Sequence, residues 1–151
     1  RWYVQAFNER NISVQTTLTV AGDLVRLASH YETVIFRIVQ EALTNVARHA
    51  NATHATVVLE SRAHELIVTI QDNGRGFDPS QVLARKGQTT SWGLLGIRER
   101  TLLLGGQYEI KSAAGQGTLI RMRAPILRQG ADDNSGSTGT NTHVDNSPSA
   151  G

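Results

Sequence analysis

The chain has 151 residues, about the length of one domain, and its 39% apolar content is ordinary for a globular protein. It contains no cysteine, which excludes disulfide bonds, thiolate metal sites and cysteine catalysis. No apolar run approaches the roughly 18 residues needed to cross a bilayer, so no membrane-spanning segment is predicted. All 15 Lys and Arg lie in residues 1–128 without forming a basic block, so charge does not indicate nucleic-acid binding. Because the sequence begins without a methionine or a signal-peptide pattern, we expect it to be a piece of a longer protein.

The predicted secondary structure mixes strands and helices. Strands are predicted where polar and apolar residues alternate or β-branched residues dominate, and helices where apolar residues recur every three to four positions. In chain order the predicted elements are a helix end over 2–10, a strand over 12–20, a helix over 31–50, a hairpin over 55–62 and 65–71, a loop over 73–92, a helix over 94–104 and a hairpin over 108–112 and 118–124. This order predicts an α+β fold, a two-layer α/β sandwich in which a mixed, mostly antiparallel sheet carries helices on one face.

The C-terminal segment differs in composition from the rest of the chain. Residues 129–151 consist mainly of Gly, Ser, Thr, Asn, Asp and Ala, and they include no aromatic residue. Such a segment buries too little apolar surface to offset the entropy of ordering. We therefore predict one folded domain over 1–128 and a disordered low-complexity tail over 129–151.

Four polar side chains lie along one edge of the helix predicted over 31–50, beside its apolar stripe. They are Glu41, Asn45, Arg48 and His49, which fall within about 100° of arc at 100° per residue. An amide oxygen can ligate a hard cation, a carboxylate can orient water or take a proton, and basic groups can meet phosphate. Taken alone, the pattern is more typical of the polar edge of an ordinary amphipathic helix.

A second candidate site follows the strand over 65–71. Asp72 stands at the strand end, where a carboxylate can accept a hydrogen bond from an exocyclic amine such as that of adenine. Gly74 and Gly76 would let the backbone come close to a ligand. The alternative, favoured by the dipeptide alone, is a plain Asn-Gly turn.

Two further glycine-containing segments are candidates for ligand contact. Gly93, Leu94 and Gly96 stand at a predicted helix start, where unpaired backbone amides suit phosphate. Thr118 follows a tight turn between two strands, where its hydroxyl could lie beside a nucleobase. Each also fits an ordinary helix start or hairpin turn.

In this order and at this spacing, the four segments resemble the ATP-binding catalytic domain of bacterial sensor histidine kinases, in the superfamily shared with gyrase B. Residues 36–50 are similar to the N box of that family, 72–77 to its G1 box, 93–100 to its G2 box, and 115–118 to its closing glycine–threonine turn. The resemblance covers residues 12–125, and the Gly-Leu-Leu-Gly-Ile-Arg-Glu-Arg segment is most similar to the NarL-type branch.

The resemblance implies roles for individual residues. Glu41 would orient water or act as a base, Asn45 would hold Mg²⁺ between the ATP phosphates, and Asp72 would recognise adenine. Arg85 or Lys86 would clamp the γ-phosphate from the lid. The implied ATP-binding residues are Asn45, Arg48, His49, Asp72, Gly74, Gly76, Lys86, Gly93, Leu94, Gly96 and Thr118.

The resemblance also implies an activity and its partners. The family transfers the γ-phosphate of ATP to a histidine on an upstream dimerisation domain, from which a response regulator receives it. This chain shows no helical dimerisation module with an acceptor histidine followed by an acidic residue, because His54 and His64 lie at or in predicted strands, and its lid has no separate phenylalanine box. We therefore expect a monomeric fragment, of cytoplasmic location, that binds ATP and Mg²⁺ without autophosphorylating alone. Its parent would be a homodimer that can be anchored in the inner membrane.

Three other functions stay open. The chain could belong to a relative that hydrolyses ATP, with Glu41 as the base for water. It could be an anti-sigma-factor kinase, which phosphorylates serine and shares all the boxes. It could also be a degenerate domain used for docking, although the presence of Asn45 and Asp72 argues against that.

Overall fold

The computed structural model of the chain describes residues 1–22, 27–62, 64–84 and 89–126. The elements in this part of the chain are α1 (Trp2–Arg10), β1 (Gln15–Ala21), α2 (Ser29–Asn45), β2 (His54–Ser61), β3 (Glu65–Asp72), α3 (Pro79–Ala84), α4 (Thr89–Leu103), β4 (Gln107–Ser112) and β5 (Thr118–Pro125). None of the described helices is long and apolar enough to cross a membrane. The tail predicted over 129–151 lies outside the described residues.

The strands form one sheet in the order β1-β2-β3-β5-β4. The β1–β2 pair is parallel, and the three other pairs are antiparallel. The α+β prediction of a mixed, mostly antiparallel sheet is therefore confirmed. In this register, Asp72 at the end of β3 is the partner of Thr118 at the start of β5. Residues 46 apart in sequence thus meet at one edge of the sheet.

The core lies between one face of the sheet and the helices. Alternate residues of β3, among them Leu66, Val68 and Ile70, are buried on this face and pack with Ile38 and Leu43 of α2. The other face carries charged residues such as Lys111, which pairs with Glu109 at 2.7 Å and is 69% exposed. This arrangement matches the predicted two-layer sandwich with helices on one face.

Helix α2 does not end as a regular α-helix. The turn that follows α2 directly, Val46–Ala50, is a π-helix, and Asn51 ends this turn with φ 53°. A π-helical turn holds more residues than an α-helical turn, so it changes the direction of every side chain after Asn45. Asparagine tolerates the left-handed conformation better than most residues, which suits it to this end position.

Two predicted boundaries were wrong. Strand β1 begins at Gln15 rather than at residue 12, and Ile12 is 95% exposed in the turn before it. The segment 73–92 is not one loop, because it contains α3 and the first four residues of α4. Helix α3 begins at Pro79, directly after Asp78, whose Oδ1 accepts hydrogen bonds from the Ser80 backbone N–H at 2.9 Å and hydroxyl at 2.6 Å. Proline at the first helical position after a capping aspartate is a regular helix start.

Candidate functional site

A cavity of about 190 Å³ opens between the end of α2 and the edge of the sheet where Asp72 and Thr118 pair. It brings together six of the predicted site residues: Asn45, His49, Asp72, Gly76, Leu94 and Thr118. These residues come from four separate stretches of the chain. The cavity is lined mostly by apolar atoms with a few polar groups, as is usual for small-molecule sites.

Asp72 is the buried acidic group of this cavity. Its side chain is buried, and its Oδ1 accepts a hydrogen bond from the Gly74 backbone N–H at 2.8 Å. Burial raises the pKa of Asp72, and hydrogen bonds from Gly74 and Thr118 partly offset that effect. A buried carboxylate stabilised by fixed donors is a strong acceptor for an N–H group of a ligand.

The glycines after Asp72 allow the turn to pack against the end of α2. A Cβ atom on Gly74 would meet the Ala50 carbonyl oxygen and lie 2.8 Å from the Ala50 Cβ. The Arg75 backbone N–H donates to the same carbonyl at 2.7 Å. Gly76 has φ 61° and lies directly against the Ala113 carbonyl, so no larger residue fits there. The turn is thus held close to α2 and forms one wall of the cavity.

Glu41, Asn45 and Gly93 meet on the α4 side of the cavity. A Cβ on Gly93 would contact the Glu41 carboxylate and lie 3.2 and 3.3 Å from the two Asn45 amide atoms. The Asn45 Nδ2 is buried and has no hydrogen-bond partner among the described residues. Because a buried amide without a partner is costly, this group is suited to meet a ligand in the cavity.

Residues 30–128 match the family described as histidine kinase-, DNA gyrase B-, and HSP90-like ATPases. The chain belongs to this ATPase family. It is 44% identical over 105 residues to an uncharacterised sensor-like histidine kinase of Chloroflexus aurantiacus, covering 69% of this chain and 18% of that protein. It is 36% identical to the histidine-protein kinase/phosphatase DegS of Bacillus subtilis, covering 83% of this chain and 33% of DegS.

A solved structure supports the same assignment. The histidine kinase domain of the blue-light activated kinase EL346 from Erythrobacter litoralis superposes with a TM-score of 0.61 at 25% identity, covering 82% of this chain and 61% of that one. The resemblance to sensor histidine kinases of the NarL-type branch, and the fold that it implied, are confirmed. As a member of the ATPase family, the chain is an ATP-binding domain. It spans about a third or less of the length of the two curated relatives.

Of the predicted residues that do not line the cavity, Glu41, Gly74 and Gly93 lie next to residues that do. The others lie further away or outside the described part. Arg48 lines a separate groove between α1 and α2, beside Tyr3 and Arg10. Gly96 lies one turn further along α4, where a Cβ would meet the Arg100 guanidinium at 2.7 Å. Lys86, like Arg85, lies outside the described residues. The π-helical turn explains why Arg48 lies in a different groove from the one predicted, because the prediction assumed 100° per residue over the whole of 31–50.

Asn73 is a structural member of the site that the sequence reasoning missed. Its Oδ1 accepts hydrogen bonds from the backbone N–H groups of Thr53 at 3.0 Å and His54 at 2.9 Å, and its Nδ2 donates to the Thr53 hydroxyl at 2.9 Å. These bonds tie the turn after Asp72 to the start of β2. The residue type alone could have predicted this role, because the asparagine side chain often forms hydrogen bonds with backbone groups in turns.

Proposed function

We propose that this domain is the ATP-binding catalytic domain of a two-component sensor histidine kinase. It would transfer the γ-phosphate of ATP to a histidine on an upstream dimerisation domain, for relay to a response regulator. The observation that carries the proposal is the cavity lined by both the buried Asp72 and Asn45, whose Nδ2 has no hydrogen-bond partner in the described part of the chain. The kinase names of the relatives support the choice of histidine as the acceptor.

The proposal assigns the two ends of the cavity to the two ends of ATP. Asp72, with Thr118 beside it, would accept a hydrogen bond from the adenine amino group. The glycines Gly74 and Gly76 would keep the wall thin enough for the base. His49 would bind phosphate oxygens, and the contacts of Lys86 and Arg48 with phosphate stay predictions. The predicted helix start at Gly93 to Gly96 was wrong, because α4 begins at Thr89 and the backbone amides of these residues lie inside the helix, where carbonyls four residues earlier accept their hydrogen bonds. Glu41 would orient water or take a proton beside the phosphates.

The residues at the phosphate end fit a magnesium ion that arrives with ATP. Among the residues that the structure describes, no group of three or more His, Asp or Glu side chains could hold a metal ion by itself. Mg²⁺ is commonly bound by one or two protein ligands, substrate phosphates and water, and the Asn45 Oδ1 would supply one such ligand while the buried Nδ2 donates to a phosphate oxygen. The ion would neutralise phosphate charge during transfer.

Asn45→Ala is expected to remove the gain in ATP affinity that Mg²⁺ produces. The thermal midpoint should change little, because no described residue is a hydrogen-bond partner that the Asn45 Nδ2 would lose. Calorimetric titration with ATP, with and without Mg²⁺, measures the effect. The matched control is Gln40→Ala on the α1 side of the same helix, which should keep the full gain. An unchanged Mg²⁺ gain in Asn45→Ala would exclude the ligand role.

The proposal treats residues 1–128 as the catalytic domain and 129–151 as a tail outside it. On this view the chain alone is a monomer and is not labelled by γ-labelled ATP, whereas the parent is a homodimer. The test extends the chain upstream by the segment that precedes it in its parent and looks for acid-labile phosphohistidine. Labelled serine would instead support the anti-sigma-factor kinase. Steady phosphate release by the chain alone would support the ATP-hydrolysing relative, and failure to bind nucleotide would support the docking module.

A further inference from the structure

Three hydrogen bonds converge on the hydroxyl of Ser112, the last residue of β4. The Phe77 backbone N–H donates to Ser112 Oγ at 3.0 Å, and Ser112 Oγ donates to the Gly117 carbonyl at 2.8 Å. The Thr118 hydroxyl lies 3.1 Å from the same oxygen. Ser112 does not line the cavity, so it does not touch a ligand bound there.

Ser112 joins the two loops that form the adenine end of the cavity. One loop runs from Asp72 to Phe77, and the other is the turn over 113–117. They are already close, because the Gly115 N–H donates to the Arg75 carbonyl at 2.6 Å. Gly117, with φ 69°, lies against the backbone of Asp72. The Ser112 side chain adds bonds to both loops at the point where β5 begins.

The hydroxyl of Thr118 depends on this junction for its direction. Thr118 is the register partner of Asp72, so the two side chains lie side by side at this edge of the sheet. A hydroxyl has one proton, and Ser112 donates its proton to the Gly117 carbonyl. In the contact between Ser112 and Thr118 the Thr118 hydroxyl is therefore the donor, and its oxygen keeps a lone pair for an N–H group of a ligand. Ser112 thus fixes the direction of the Thr118 hydroxyl beside Asp72.

We propose that Ser112 is a positioning residue for base recognition, because its hydroxyl holds Thr118 and the Phe77 backbone in the arrangement that presents Asp72 to the adenine amino group. The inference rests on the proposed function, since it assumes that Asp72 receives adenine. Ser112 thus lies outside the cavity and still sets its selectivity for adenine. Loss of the hydroxyl should affect ligands that carry the amino group and spare those that lack it.

The test compares ADP with purine riboside 5′-diphosphate, which lacks only the exocyclic amine. Both are titrated into the full chain and into Ser112→Ala. We expect Ser112→Ala to weaken ADP about five-fold, the effect of one neutral hydrogen bond, and to leave the other nucleotide within about two-fold. Ser112→Thr, which keeps a hydroxyl, should restore ADP binding. Lys111→Ala, one residue earlier on the opposite face of β4, should change neither affinity.

Each result decides between a positioning role and a purely structural one. An equal loss for both nucleotides, or an unchanged ADP affinity in Ser112→Ala, would overturn the inference. If Ser112→Ala does not fold, Ser112→Cys, which has a similar shape and a much weaker donor, carries the same expectation. Failure of the unmodified chain to bind ADP would overturn the proposed function and this inference together. ADP binding with an unchanged ratio in the variants would overturn this inference alone.

Discussion

Asp72→Ala is expected to weaken ADP binding by about 10- to 100-fold, the range for losing one charge-assisted hydrogen bond. The carboxylate is buried at the cavity wall, with the Gly74 backbone N–H as a fixed donor. Water therefore cannot easily replace it as the partner of the adenine amino group. Calorimetric titration of the full chain with ADP measures the change.

The control for this experiment separates base recognition from damage to the turn. Asp72→Asn keeps an oxygen that can accept from the Gly74 N–H, so it should retain the turn and lose less affinity than the alanine variant. Purine riboside 5′-diphosphate should bind the unmodified chain and both variants with similar affinity. Equal ADP affinity in the unmodified chain and Asp72→Ala would contradict the assignment of adenine to this residue.

Gly76→Ala is expected to lower the free energy of unfolding by about 3 kcal/mol or more, from left-handed strain and steric overlap together. Gly76 has φ 61°, and an added Cβ would overlap the Ala113 carbonyl and come within 2.9 Å of the Gly117 carbonyl oxygen. Both neighbours are backbone atoms of the turn before β5, so neither can move away without disrupting that turn. Urea unfolding followed by circular dichroism measures the loss.

Gly115→Ala is the matched variant for Gly76→Ala. Gly115 has φ 76° and lies in the same pair of loops, but no atom of the described residues lies within 4 Å of an added Cβ. It should therefore lose only the strain of the left-handed conformation, about 1 kcal/mol. Similar losses in the two variants would show that the close contact between the loops contributes little to stability.

The sheet and the cavity were largely predictable from local pattern. The bounds of β2, β3, β4 and β5 were predicted to within a residue or two, with β-branched runs indicating β2 and β3, because such residues pack well on a pleated sheet. Asp72 could be singled out because it stands where a buried strand ends. Its pairing with Thr118 could not be predicted from local pattern, and only the resemblance to a known family placed Thr118 beside it.

What the sequence did not predict arises from irregular backbone and long-range contacts. The π-helical turn at the end of α2 breaks the assumed 100° per residue, which is why Arg48 lies in another groove. The bond from Phe77 to Ser112 joins residues 35 apart through a single hydroxyl, and no local pattern indicates it. Asp78 and Pro79 together could have predicted the start of α3, but the polar composition of residues 73–92 favoured a loop.

The most direct test of the adenine-nucleotide site is calorimetric titration of the unmodified chain with ADP and with GDP. Saturable binding of ADP, with GDP at least ten-fold weaker, is the predicted result, because guanine presents a carbonyl where adenine offers its amino group to Asp72. Equal affinity for the two nucleotides, or no binding of either, would contradict the assignment of Asp72 and its cavity to adenine.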